Sequence, residues 1–187
     1  PPHPHTGLQT VSWLFSGEVE HRDSAGVHAL VRPGELNLMT AGAGICHSEV
    51  STAATTVLHG VQLWAALPDS ARDTARDFAH YVPPPRSIGG ATVRVFLGEL
   101  AGDRSPVHTF TPLLGAQIDL DAGAHIKLDV DPVFEHGVLL VEVDARGGHK
   151  LAWQRLRPPP QPQRSVELLA HPPRLGGVRD HLAGHQR

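Results

Sequence analysis

Between residues 9 and 64 apolar and polar positions alternate in short runs broken by turn residues, the pattern of half-buried β-strands in an all-β sandwich or barrel. In QTVSWLF, Val11, Trp13 and Phe15 share one face while Thr10, Ser12 and Leu14 share the other, because successive side chains of a strand point to opposite sides. EVEHRD, VHALV and LNLM follow at close spacing, separated by Ser24-Ala25-Gly26 and Arg32-Pro33-Gly34. After the glycine-rich turn Thr40–Gly44 comes ICHSEV, whose alternation sets Ile45, His47 and Glu49 against Cys46, Ser48 and Val50. GVQLWAAL, residues 60–67, is apolar enough for a buried strand.

The period then changes. DSARDTARDFAH, residues 69–80, is the one stretch with helical character, with Asp69 and Ser70 as caps. The prolines of YVPPPRS forbid both helix and central strand, which makes that stretch a linker. A second β-rich region follows in ATVRVFLGEL, GAQIDLDAG, AHIKLDV and HGVLLVEVD. From residue 144 the chain is rich in Pro and Arg without a sustained period, which predicts an irregular tail.

Charge sharpens that division. Residues 144–187 hold eight Lys/Arg against three Asp/Glu, and residues 1–143 hold eight against sixteen, within a net charge of −3. The tail lacks interleaved aromatics beyond Trp153 and is not a dense basic run, so direct nucleic-acid binding is not expected. No apolar run approaches the ~18 residues that span a membrane and no signal pattern opens the chain, so the expected location is cytoplasmic. The single Cys46 excludes an internal disulfide and a cysteine-based zinc site.

The chain opens PPHPHTG. His3 and His5 stand two residues apart, and Pro4 biases the segment toward extended geometry, so both imidazoles project from one face. His47 and Glu49 repeat that spacing. Two extended segments thus offer three histidines and a carboxylate, a set that suits Fe(II), Mn, Ni, Cu or Zn and leaves positions open for catalysis. His21 and His28 read as ordinary surface or edge residues, Cys46 as a core thiol, and Ser48 lacks a base for nucleophilic chemistry. Trp13, Met39 and Trp64 read as core and cavity wall, and His59 as a residue lining the barrel.

The segments HPHTGLQTVSWLFSGEVEHRDSAG, PGELNLMTAGAGICHSEV and HGVQLWAALP resemble the N-terminal domain of the pirin family, with a looser similarity over residues 104–143. The resemblance implies a cupin fold, the double-stranded β-helix or jelly roll, as a bicupin whose second barrel is incomplete. It divides the chain into an N-terminal cupin domain (1–68), a helix-like segment with linker and inter-lobe strand (69–103), a partial C-terminal cupin domain (104–143) and the irregular tail (144–187). It also implies one metal, Fe2+ first and Mn2+, Ni2+, Cu2+ or Zn2+ as alternatives, held by His3, His5, His47 and Glu49. Gln9 stands where the general cupin pattern places a glutamate ligand, and is expected to orient a histidine or a ligand from behind.

Against the family pattern the chain reads as shortened before His3 and divergent after Asp144, the tail reflecting truncation or an altered reading frame. Two functions follow from the resemblance. One is a dioxygenase of the quercetin 2,3-dioxygenase type, acting on a flavonol with O2 and using Glu49 as catalytic base. The other is a metal-dependent regulator that contacts a protein partner.

Overall fold

The computed structural model describes residues 1–143, 149–153 and 165–169, and among these no helix occurs. The alternating runs at the start of the chain form two four-stranded antiparallel sheets. One has the order β1 (His3–His5), β6 (Ile45–Ser51), β3 (Val19–Asp23), β4 (His28–Val31); the other has β7 (His59–Ala66), β2 (Leu8–Ser16), β5 (Leu36–Thr40), β8 (Asp77–Tyr81). Met39, Ala41 and Ile45 form one apolar cluster and Leu14, Val19 and Val31 another. Each cluster draws residues from both sheets, so the sheets pack face to face around the interior of a first lobe.

The second lobe has a five-stranded sheet, β15 (Val138–Val143), β16 (His149–Trp153), β13 (Gly115–Leu120), β10 (Ala91–Leu97), β9 (Arg86–Ile88), and the pairs β11 (Glu99–Leu100) with β12 (Asp103–Arg104) and β14 (His125–Asp129) with β17 (Ser165–Leu169). Val93, Val95, Ile118, Leu120, Ile126 and Leu128 fill its core. A third core joins the lobes. Val11, Trp13, Leu36 and Leu38 of the first pack on Phe96 and Leu97 of the second, with Trp13 stacked on Phe96 at 4.3 Å. Trp13 Nε1 donates to Gln117 Oε1 at 2.8 Å, so the buried indole N–H is satisfied across the boundary.

The structure settles the orientation of β2 and corrects three expectations. The alternation of β2 is as read, but the Val11–Trp13 face turns toward the second lobe, leaving Ser12 and Leu14 on the other face, where both line a cavity. Residues 69–76 are turns and coil, not helix. The bonds Ala71 N to Pro68 O and Thr74 N to Ala71 O are turn bonds, and the Thr74 carbonyl accepts from Ala43 instead of continuing a helix. That contact needs Gly42: with φ +52°, a Cβ there would lie 1.9 Å from Thr74 O.

Asp77–Tyr81 then pairs with β5, so the first lobe extends past residue 68, and β9 takes Arg86 and Ser87 of the expected linker into the second sheet beside β10. Finally, the irregular tail is interrupted. His149–Trp153 lies between β15 and β13, and Ser165–Leu169 pairs with β14, which counts against an irregular tail over those residues. The rest of that stretch falls outside the described residues. Among the described residues no helix is long and apolar enough to cross a membrane.

Candidate metal centre

Strand pairing brings the histidines together. β1 runs antiparallel to β6 with His3 opposite His47, and His5 follows on the same face, opposite Ile45. His47 Nε2 lies 2.9 Å from His3 Nε2 and 3.1 Å from His5 Nε2. Two nitrogens about 2.1 Å from one ion and at right angles to each other would be about 3.0 Å apart, against about 3.4 Å at a tetrahedral angle. The donor set therefore fits a single first-row metal ion, with spacings nearer those of an octahedral ion.

The rings are also turned correctly. His3 Nδ1 lies 3.0 Å from the Pro1 carbonyl oxygen, which leaves its Nε2 lone pair for the shared point. Burial, reinforced by the charge of His3, holds the His5 pKa below its ordinary value, and burial lowers that of His47 to about 4 despite the opposing pull of Glu49. Both imidazoles are thus neutral at pH 7, the form that binds metal.

Glu49 stands beside this cluster. It forms a second group with His47 and His21, in which the ligand atoms lie within 4.8 Å of one another; His3, His5 and His47 form the first such group. Glu49 Oε2 accepts from Gln62 Nε2 at 2.7 Å, and the same amide lies 3.2 Å from Ser12 Oγ. Glu49 and Gln62 line a cavity of about 410 Å3 whose wall includes Leu14, Val19, Val31 and Val61. His47 is the member common to both groups, so the carboxylate reaches from the histidines to an apolar space.

The other expected residues divide. The exposed Trp64 sets its ring edge-on to His5 at 5.2 Å, and Met39 is buried in a cluster with Ala41 and Ile45. Gln9 lies on the opposite face of β2 from Ser12 and gives its amide N–H to Thr40 Oγ1 at 3.0 Å, so it does not orient a histidine. Trp13 belongs to the inter-lobe core and is not a cavity wall. His59 is exposed with its ring against Phe15 and does not line the cavity beside Glu49. Cys46 is exposed and not a core thiol. His28 pairs with Glu20 at the surface, as expected.

Sequence reasoning missed His21. It is 2% exposed, lies opposite Glu49 in the β3–β6 ladder, and approaches His47. A signal was present: His21-Arg22-Asp23 repeats the two-residue spacing of the other two pairs.

Comparison with known proteins places the sequence beside one family. Residues 1–65 match the Pirin family model. The chain is 34% identical to human pirin over 163 residues, covering 84% of this chain and 56% of that one. Residues 1–65 are thus a pirin-family domain. A Pseudomonas aeruginosa relative, provisionally named a quercetin 2,3-dioxygenase, is 45% identical over 142 residues, 75% of this chain and 45% of its own length. A crystal structure of quercetin 2,3-dioxygenase from Acinetobacter baumannii superposes with a TM-score of 0.79 at 33% identity, over 91% of this chain and 58% of that one. The chain shares the cupin fold with these proteins, and it spans about half the length of the curated relatives it matches.

Proposed function

We propose that the chain is a metal-dependent dioxygenase of the quercetin 2,3-dioxygenase type, with Fe2+ held by His3, His5 and His47 and with Glu49 as a further ligand or base. The observation that carries this reading is the contiguity of three converging Nε2 atoms, a carboxylate and an apolar-walled cavity. Iron bound there would supply the Lewis-acid and redox chemistry that lets an electron-rich enol react with O2.

The chain's own residues do the rest. A cavity of about 410 Å3 falls within the range of about 300–1,000 Å3 typical of small-molecule sites, and Leu14, Val19, Val31 and Val61 offer its wall to flat aromatic rings. Glu49 accepts the 3-hydroxyl proton of the flavonol, which leaves the ring system electron-rich. Gln62 holds the carboxylate at the cavity while Ser12 steadies Gln62. Ring opening then takes both atoms of O2 and releases one carbon as carbon monoxide.

The test is oxygen uptake and carbon monoxide release by the Fe2+-loaded chain with quercetin. Turnover that is lost in Glu49→Gln is expected. Stoichiometric metal binding without oxygen uptake would overturn the enzyme reading and favour a metal-dependent protein-binding role.

A further inference from the structure

We propose that Asp23 and His21 form a hydrogen-bonded relay that sets the tautomer of His47 and so aims its Nε2 lone pair at the metal position. The inference rests on the three-histidine metal site and is independent of the flavonol reaction.

The relay starts from an immobile anchor. The Asp23 carboxyl group has no solvent exposure, and its Oδ1 accepts from the backbone N–H groups of Ala25 at 2.8 Å and Val27 at 3.0 Å. Those bonds close the β3–β4 hairpin and leave Oδ2 directed at His21 Nε2, 3.2 Å away. A carboxylate has no proton to give, so His21 must be the donor at Nε2. A neutral imidazole carries one N–H, so His21 Nδ1 is then a lone pair.

That lone pair faces His47 Nδ1 at 3.4 Å, between two rings that are each 2% exposed. With His21 as acceptor, His47 carries its proton on Nδ1, and its Nε2 is the bare lone pair among His3 and His5. Two consecutive tautomer choices are therefore set by one carboxylate two rings away from the metal position. The His21 ring also packs on Phe78, centroids 4.8 Å apart, which restrains the ring plane. Asp23 and His21 are positioning residues, acting through His47.

The relay makes an unusual prediction for Asp23→Asn. The amide oxygen can still accept from Ala25 and Val27, but the amide nitrogen donates toward His21. His21 then carries its proton on Nδ1, His47 must accept there, and the His47 proton moves to Nε2, where it blocks the metal.

The experiment uses the full chain, 15N-labelled and metal-free at pH 7, with two-bond proton–nitrogen correlations of the imidazoles and calorimetric titration with Ni2+. The parent should show His21 protonated on Nε2 and His47 on Nδ1. Asp23→Asn should reverse both and weaken Ni2+ binding about 10- to 100-fold with unchanged circular dichroism. His21→Gln, whose side-chain oxygen can accept the same proton, should bind Ni2+ about as the parent does, whereas His21→Leu should lose as much as Asp23→Asn.

If Asp23→Asn does not fold, the parent tautomers and the Gln/Leu pair decide. A parent His47 protonated on Nε2, or equal Ni2+ affinity in all variants, overturns the relay. So does a second Ni2+ ion lost in His21→Leu, which would make His21 a ligand. A parent that binds no Ni2+ would defeat the metal reading instead, and the tautomers would still report on the relay.

Discussion

Inside the second lobe, Val93, Val95, Ile118, Leu120, Ile126 and Leu128 face one another as an aliphatic core. Inside the first, the corresponding depth holds buried His5, His21 and His47, with buried Asn37 and Ser12 nearby. Both lobes are antiparallel β-frameworks, so the difference is one of filling. The aliphatic lobe gains stability roughly in proportion to apolar area removed from water, and every polar group buried in the other must be matched by a partner to avoid a net cost. The first lobe meets that demand through the Asp23–His21–His47 file, the Gln62 amide on Ser12 Oγ and the His80 Nδ1–Asn37 Oδ1 contact at 2.6 Å. The shared core around Trp13 and Phe96 ties the polar lobe to the apolar one.

The contrast can be broken most sharply by one exchange of effects. His47→Ala should abolish stoichiometric Ni2+ binding, read by calorimetry, because His47 belongs to both groups of ligand atoms. Ile118→Ala should leave Ni2+ affinity unchanged and lower stability to urea by about 2–5 kcal/mol, the cost of a cavity in a filled core. If His47→Ala binds metal normally, or Ile118→Ala weakens binding strongly, the lobes do not divide their roles this way.

Trp13→Phe probes the tie between them. It preserves most of the stacking on Phe96 but orphans Gln117 Oε1, so a loss of about 1–3 kcal/mol in thermal or urea unfolding is expected, with metal affinity intact.

A smaller effect separates the lobes by pH. His5 and His47 have folded pKa values below their unfolded ones, that of His47 at about 4. Between about pH 6.5 and 4 the unfolded chain binds more protons, so metal-free stability should be full above pH 6.5 and fall as pH drops through that window. Urea midpoints at pH 7 and pH 5 measure it. His47→Gln should flatten the slope, and an unchanged slope in that variant would show that His47 does not carry it.

The strands, and the shared faces of His3 with His5 and of His47 with Glu49, were legible because both follow from a period of two that the sequence displays openly in HPH and CHSE. What alternation does not disclose is which face meets which neighbour. The apolar face of β2 turned to the other lobe, and the Cys46 face of β6 turned to solvent. His21 escaped because its partner lies across a ladder, twenty-six positions away in sequence. Residues 69–76 have helical composition, yet the contact of Thr74 with the Gly42 turn outweighs that local preference.

The central claim is that the first lobe holds one metal ion on three histidines. Anomalous diffraction from crystals of the iron-loaded chain tests it most directly. The account predicts a single iron peak about 2.0–2.2 Å from Nε2 of His3, His5 and His47. A peak elsewhere, or no peak between those three rings in crystals that contain iron, would contradict it.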